Sequence, residues 1–220
     1  GVNTASTNTA VGYNAGYDVT EGGNNTFVGA NSGSSVTTGT HNVMVGRDAG
    51  DAQTTASYSV AIGSEALTSN TTGAANIAVG RESLKANTTG TNHTAVGVGA
   101  LKTVTTANNS TAVGHSALES NTSGAQNVAT GAFAGNKNTT GSYNTSYGYS
   151  ALTETTTGNN NTGLGGNAGN NLTTGTNNTV IGYNSDASSA TVSNEITLGD
   201  GSISALRCQV QSISALSDRR

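Results

Sequence analysis

Three acidic residues recur 17 residues apart, at Asp48, Glu65 and Glu82. If those stretches stack as neighbouring β-strands, their backbones lie about 4.8 Å apart. Carboxyls at roughly that separation match the spacing in a retaining glycosidase, and carboxylate oxygens also bind cations. Arg47 and Arg81 flank the acids, however, and no aromatic cleft accompanies them. We therefore expect a charged surface row and no catalysis, with the three acids as candidates for a cation.

Histidine is the other common metal ligand, but His41, His93 and His115 fall at different positions of this repeat and lack metal-ligand spacing. His93 occupies a position that elsewhere is mostly Asn. In a three-fold assembly an inward-facing His93 would meet two copies of itself, and the alternative is an ordinary hydrogen-bonded side chain. No metal site and no cofactor is predicted.

The single cysteine, Cys208, excludes a disulfide within the chain and is expected to be a buried thiol, with pairing between chains as the alternative.

Tyr13, Tyr149 and Tyr183 each follow a repeated glycine and could present flat apolar faces to a sugar. Isolated surface tyrosines are the alternative. Serine is abundant, but no G-x-S-x-G motif on a strand-to-helix turn accompanies it, and the Gly-x-x-Gly spacings lack the βαβ context of a phosphate site. The sequence therefore predicts a structural or binding protein and no enzyme.

Paired threonines recur with the same period and would stack into an array of hydroxyl and methyl groups, which could bind ice if it were flat and exposed. The pairs are Thr37-Thr38, Thr54-Thr55, Thr71-Thr72, Thr88-Thr89, Thr105-Thr106, Thr139-Thr140, Thr156-Thr157 and Thr173-Thr174.

Asparagines also recur and could form amide ladders between stacked strands. They are Asn8, Asn25, Asn42, Asn76, Asn127, Asn144, Asn161 and Asn178. Asn-x-Ser/Thr triplets, as at Asn70, Asn87 and Asn121, follow from composition and do not predict glycosylation.

A glycine every 17 residues, with no insertion or deletion over twelve copies, defines the elements that must position these side chains. The anchor glycines are Gly12, Gly29, Gly46, Gly63, Gly80, Gly97, Gly114, Gly131, Gly148, Gly165, Gly182 and Gly199. Such self-similarity predicts one coil of a solenoid per copy. A second glycine closes most copies, and two glycine positions fit two tight corners per coil. The third residue after the anchor is always small, and the fourth is usually Gly or Leu. A leucine at this fourth position can plug the end of the coil.

The three residues before each anchor glycine read as a short strand. In most copies the first and third are Val, Ile, Leu or Thr, and the second is mostly Ala, so both faces are largely apolar. Apolar residues on both faces are typical of buried parallel sheet. We interpret the Val/Ile rows as the core of the coil and the small Ala row as the contact with another copy of the chain. Copies should add about 4.8 Å each, giving a rod on the order of 50 Å long.

Composition supports an elongated assembly. Only 33% of the 220 residues are hydrophobic and 4% are aromatic, which is too few for one compact core, and the absence of Pro is typical of a continuous hydrogen-bond ladder. Eight Lys and Arg against twelve Asp and Glu leave no basic surface for nucleic acid. No apolar run approaches the roughly 20 residues of a spanning helix, so no membrane insertion is predicted. The start at Gly1, without an initiator Met or signal peptide, suggests a processed or excerpted fragment.

Segments such as Asn8-Thr-Ala-Val-Gly12, Asn76-Ile-Ala-Val-Gly80 and Asn109-Ser-Thr-Ala-Val-Gly114 resemble the head repeats of YadA-type trimeric autotransporter adhesins, and also stretches of bacteriophage tail fibres. The resemblance covers residues 8 to about 200. It implies a left-handed parallel β-roll, three chains packed side by side, and an adhesive role outside the cell.

The C-terminal segment Ile213-Ser-Ala-Leu-Ser-Asp-Arg-Arg220 looks like the entrance to the intramolecular chaperone (peptidase S74-type) domain of phage tail spikes and fibres. That resemblance implies that the chaperone assists trimerisation and then cleaves itself off near a Ser-Asp junction, which here maps onto Ser217 and Asp218. It favours a tail fibre that recognises a host receptor, for instance a cell-surface glycan, over a bacterial surface adhesin.

We thus predict an all-β, left-handed parallel β-solenoid of 17-residue coils over residues 1–200, in a side-by-side homotrimer. Residues 201–220 are predicted to form a C-terminal neck that leads toward the chaperone domain. Irregular surroundings at residues 186–193, which lack the closing glycine, are expected to end the regular coils.

Overall fold

The computed structural model describes residues 5–205, in which twelve three-residue strands and no helix occur. The strands are β1 Thr9–Val11, β2 Thr26–Val28, β3 Val43–Val45, β4 Val60–Ile62, β5 Ile77–Val79, β6 Thr94–Val96, β7 Thr111–Val113, β8 Val128–Thr130, β9 Thr145–Tyr147, β10 Thr162–Leu164, β11 Thr179–Ile181 and β12 Ile196–Leu198. An anchor glycine follows every strand. We call each strand, together with the residue before it and the loop after it, a coil, and name the coil by its strand.

The strands form a single parallel sheet in sequence order, from β1 to β12. Each residue pairs with the residue 17 positions later, as in Thr94↔Thr111, Ala95↔Ala112 and Val96↔Val113 between β6 and β7. Because every loop returns the chain to the same register, the protein is a β-solenoid. This confirms the predicted parallel β-solenoid and its 17-residue period. The sheet continues through β12, so the irregular stretch at residues 186–193 does not interrupt the strand ladder.

The interior of the solenoid is lined by the middle residue of each strand. Ala61, Ala78 and Ala95 are fully buried, whereas Ile62 and Ile77 are 39% and 40% exposed. The assignment of the Val/Ile rows to the core and of the Ala row to an outer contact is therefore wrong. Alternation along a strand separates two apolar faces without showing which one points inward. Side chains from the opposite wall also point into the narrow interior, so there is room only for small residues on most strands.

In most coils two side chains on opposite walls share the filling. One is the middle strand residue, and the other lies four residues after the anchor glycine, which we call the plug position. The coils of β8 and β10 are exceptions, because their plug residues are Gly135 and Gly169 and the leucines of the preceding coils, Leu118 and Leu152, reach into that space.

Leu67, Leu84 and Leu101 are buried at the plug position opposite Ala, as predicted for a leucine plug. In the coil of β3 the large side chain is on the strand instead, because Met44 fills the interior and the plug residue is Gly50. A Cβ atom on Gly50 would lie 2.5 Å from the Met44 sulphur.

Asparagines just before the strands connect one coil to the next from inside. In the typical case, the Oδ1 of Asn127 accepts the backbone N–H of Asn144 at 2.9 Å. The Nδ2 of Asn144 donates to the carbonyl of Gly158, the closing residue of the following loop, at 2.8 Å. These side chains are buried, so both bonds satisfy backbone groups that water does not reach. The predicted asparagine row does connect the coils, but its side chains bond mainly to backbone groups and only rarely to one another, as Asn178 does to Asn161.

A second row of buried amides supplements the first. It lies three residues before the closing position and includes Gln53, Asn70, Asn87, Asn121 and Asn138. In the coil of β7, Ser110 replaces the usual asparagine of the first row, and its side chain makes no bond to the carbonyl of Gly124. Asn121 of the second row donates to that carbonyl instead, at 2.8 Å. Sequence analysis had not assigned a role to this second row.

The two repeated glycine positions require glycine for different reasons. The anchor glycine Gly97 has φ = 140°, and a Cβ there would lie 2.3 Å from the carbonyl oxygen of Gly114 in the next coil. The closing glycine Gly124 has no such φ, but its Cβ would lie 2.1 Å from the carbonyl oxygen of Gly141. The first corner therefore needs glycine for conformation and for close approach, and the second needs it for close approach.

Candidate interaction surfaces

The first and third strand residues form an outer face of the sheet that is mainly apolar, because the third residue is Val, Ile or Leu in ten of the twelve strands, while the first is Thr in seven. This face runs along the whole rod, from Val11 in β1, through Val96 and Val113, to Ile196 and Leu198 in β12. Val113 is 37% exposed and Leu198 51%. Contiguous exposed apolar surface on this scale is typical of an interaction site. Every coil contributes one strand to this face, so no single coil determines it.

The acidic row lies on the surface and is neutralised by basic side chains. Arg47 contacts both Asp48 and Glu65, and Lys85 bonds to Glu65 at 2.6 Å. The bonds from Lys85 and Arg47 hold the pKa of Glu65 below its ordinary value. The acids lie in one row, as their spacing predicted, but the spacing gave no sign of Lys85, which reaches the acid of the preceding coil.

Glu82 continues the same network, with Lys102 at 2.8 Å and Arg81 at 2.9 Å. The hydrogen bond from Lys102 is the main cause that lowers the pKa of Glu82. Within residues 5–205, no three His, Cys, Asp or Glu side chains are grouped in a way that could hold a metal ion. The arrangement favours the surface charge row over cation binding by Asp48, Glu65 and Glu82.

His93 is buried inside its own coil and takes the place of an asparagine of the first row. Its Nδ1 accepts the backbone N–H of Ser110 at 3.2 Å, and its Nε2 donates to the carbonyl of Ala107 at 2.7 Å. Burial lowers the pKa of His93. Because the ring faces the solenoid interior, the idea that three copies of His93 meet around an axis is wrong, and the ordinary hydrogen-bonded histidine is the one observed.

Tyr13, Tyr149 and Tyr183 are exposed to 76%, 59% and 69%. Tyr149 lies edge-on to Phe133, with ring centroids 6.1 Å apart. Phe133 in turn lies edge-on to His115 in the preceding coil, at 5.1 Å. Tyr149 is thus part of a group of rings, whereas Tyr13 is far along the rod in the first coil.

The two threonines of each pair differ in what their hydroxyls do. The first donates to the carbonyl of its counterpart in the next coil, as Thr71 does to Thr88 and Thr88 to Thr105, each at 3.1 Å. The second, such as Thr72 or Thr89, is exposed, and its hydroxyl makes no hydrogen bond to another residue of the range 5–205. Only the second threonine of each such pair therefore presents a hydroxyl that is not already hydrogen-bonded within the described part of the chain.

Several sequence-derived sites are inaccessible or lie beyond the described range. Asn70, Asn87 and Asn121, which begin Asn-x-Ser/Thr triplets, are all fully buried. Cys208, Ser217 and Asp218 lie outside the described residues, as does the neck beyond residue 205.

The part of the chain from residue 5 to residue 205 contains no helix long and apolar enough to cross a membrane. No protein-family model matches the chain, and no curated protein and no solved structure is significantly similar to it.

Proposed function

We propose that the chain is a segment of a homotrimeric extracellular fibre with a structural and adhesive role, and that the fibre belongs to a bacteriophage tail and takes part in recognition of the host receptor. The observation that carries the proposal is the apolar outer face, which extends over the full length of a narrow rod. Three rods with this face toward a common axis would remove it from water along their whole length.

The face differs from the one that sequence patterning suggested, but the reason for assembly is the same. A strand that is apolar on both sides buries one side within its own coil, here the Ala row, and needs another partner for the second. The resemblance of the repeats to trimeric adhesin heads and phage fibres supports a second and a third copy of the chain as that partner. The neutralised acidic row and the buried His93 support a role without catalysis.

Light scattering coupled to size exclusion tests the assembly. The expected mass is three times the 21.6 kDa of the chain. The double variant Val96→Lys with Val113→Lys places two charges on the apolar face and should yield folded monomers. The matched control, Thr89→Lys with Thr106→Lys, places charges with the same 17-residue spacing on the exposed threonine row and should remain trimeric. A wild-type chain that is monomeric at micromolar concentration would contradict the proposal.

A bacterial trimeric surface adhesin is the alternative setting for the same fibre. The repeats themselves resemble both, and the C-terminal resemblance to a chaperone entrance favours the phage. Immunogold labelling with antibodies against this chain distinguishes the two, since a tail fibre is labelled on virions and an adhesin on the bacterial surface.

Ice binding remains the second candidate function, favoured by the exposed row of unoccupied threonine hydroxyls. That row places one hydroxyl about every 4.8 Å along the rod. Thermal hysteresis of the purified protein tests this candidate directly. Absence of hysteresis at millimolar concentration would eliminate it, and Thr89→Lys with Thr106→Lys should abolish any hysteresis that is observed.

A further inference from the structure

Four aromatic side chains lie on one edge of the solenoid, just after the anchor glycines of four of the five coils from β7 to β11. His115, Phe133 and Tyr149 are in successive edge-on contact. Tyr183 extends the group, because its ring lies 3.3 Å from the position that a Cβ of Gly166 would occupy and so covers the coil between itself and Tyr149. We call these four rings the aromatic strip. With four steps of about 4.8 Å it is roughly 19 Å long.

The strip is not explained by the packing of the core. Phe133 is only half-buried, and it adopts φ = 60° at a position that Asp48, Glu65 and Ser116 occupy in other coils with similar φ values. Because this position accepts acidic and hydroxyl side chains with the same backbone, neither the coil geometry nor the core requires a ring at Phe133, which indicates a role at the surface.

The electrostatic character of this edge changes along the rod. In the coils of β3 to β5 the two residues after the anchor glycine include the network of Arg47, Glu65 and Glu82. In the coils of β8 to β11 the same two positions hold no Asp, Glu, Lys or Arg. They contain the strip together with hydroxyl and amide groups, among them Ser150 and Asn167. At these two positions the aromatic part of the edge therefore offers apolar faces and neutral hydrogen-bonding groups.

We propose that the aromatic strip binds a neutral oligosaccharide. Sugar rings have an apolar C–H face that can stack on an aromatic ring, while their hydroxyls can bond to neighbouring amides and hydroxyls. A ligand without charge matches the absence of charged side chains after the anchor glycines here. The inference deepens the proposed adhesive function and rests on it, since it specifies the class of receptor that the fibre would contact.

The test measures binding of the intact chain to neutral hexose and N-acetylhexosamine oligosaccharides of two to five units, alongside sialylated and uronic-acid-containing counterparts. Tyrosine fluorescence gives a direct signal, because the chain has seven Tyr and no Trp. We expect saturable binding to neutral members of the panel. Tyr149→Ala and Tyr183→Ala should each weaken it about tenfold, equivalent to about 1.4 kcal/mol. The matched control is Tyr13→Ala, which removes an equally exposed ring at the same repeat position, outside the strip, and should bind like the wild type.

Binding to none of these sugars, binding to the acidic ones alone, or equal effects of the Tyr149 and Tyr13 variants would each overturn the inference. Light scattering on the same samples separates this outcome from a failure of the fibre proposal. Trimers that bind no sugar leave the fibre proposal standing, and monomers whose sugar binding depends on Tyr149 and Tyr183 leave the inference standing.

Discussion

Closing carbonyls inside the solenoid are hydrogen-bonded by one amide row or the other, and in some coils by both. Gly141 accepts from Asn127 of the first row at 2.7 Å and from Asn138 of the second row at 2.9 Å. Gly124 accepts from Asn121 alone, because the first-row residue of that coil is Ser110. The same substitution in neighbouring coils should therefore have unequal effects.

We expect Asn121→Val to destabilise the protein by about 1 to 3 kcal/mol, because the buried carbonyl of Gly124 loses its side-chain donor. Asn138→Val introduced into the Asn121→Val variant is the matched control. This second change should be nearly neutral, since Asn127 still donates to Gly141 and the amide of Asn138 otherwise bonds only to the Asn121 side chain that is already absent. Valine fits this position, as Val36 and Val104 occupy it elsewhere. Urea denaturation of the single and double variants checks the prediction, and a second loss of stability as large as the first would contradict it.

His93 should make stability depend on pH in a defined window. Burial lowers its pKa in the folded state below the ordinary value of 6.5. Above that value His93 is neutral in both states and contributes no pH dependence. As the pH falls below it, the unfolded chain takes up a proton that the folded protein does not, so stability decreases until the pH reaches the folded-state pKa, by at most about 1.4 kcal/mol per pH unit.

The variant His93→Asn restores the usual residue of the row and should remove this part of the slope. Denaturation of wild type and variant between pH 5 and 7.5 (about two units around the ordinary histidine pKa) measures the difference. Parallel profiles for the two proteins would show that His93 does not titrate differently on folding.

At the scale of the coil, the strand and the opposite wall compensate for each other in volume. Met44→Ala alone should cost about 2 to 5 kcal/mol, because it leaves a cavity. Gly50→Leu alone should also destabilise, since the new Cβ would lie 2.5 Å from the Met44 sulphur. The double variant reproduces the Ala-and-Leu arrangement of Ala61 with Leu67, and Leu67 has the same left-handed backbone, at φ = 55°.

We therefore expect the double variant to be more stable than Met44→Ala. A thermodynamic cycle over the four proteins, with unfolding measured in denaturant, gives the coupling between the two positions, expected at about 0.5 to 3 kcal/mol. Additive effects of the two changes would show that they do not share one space.

The same pair of positions shows where sequence reasoning succeeded and where it failed. The 17-residue period, the strands and the leucine plug could be predicted, because glycine spacing and side-chain alternation are local properties. The inward face could not be assigned from alternation alone, since both faces are apolar. A usable signal existed, as Gly33 and Gly50 occupy the plug position where the strand carries Phe27 and Met44. Contacts such as Lys85 with Glu65 depend on rotamers of long side chains and leave no comparable pattern.

For the whole molecule, the lack of insertions over the twelve coils keeps the outer face in one register along the rod. Three chains displaced by one coil would still bury most of the same kinds of side chain, mainly Val, Ile and Thr, so this face specifies the alignment of chains poorly. The ion pairs of Glu65 and Glu82 and the aromatic strip, which differ more between coils, lie after the anchor glycines and not on the strands. Under the proposed assembly, correct register therefore requires information from outside the repeated coils.

Equal coils also have a mechanical consequence. Each coil bonds only to its two neighbours, so a rod pulled from its ends should come apart one coil at a time. Every released coil adds 17 residues, or about 50 to 60 Å of extended chain, and optical tweezers should record steps of one constant size. Unequal steps, or a single rupture of the whole rod, would contradict this expectation. A tether of this design lengthens in equal increments under load, and so limits the tension on whatever is attached to its end.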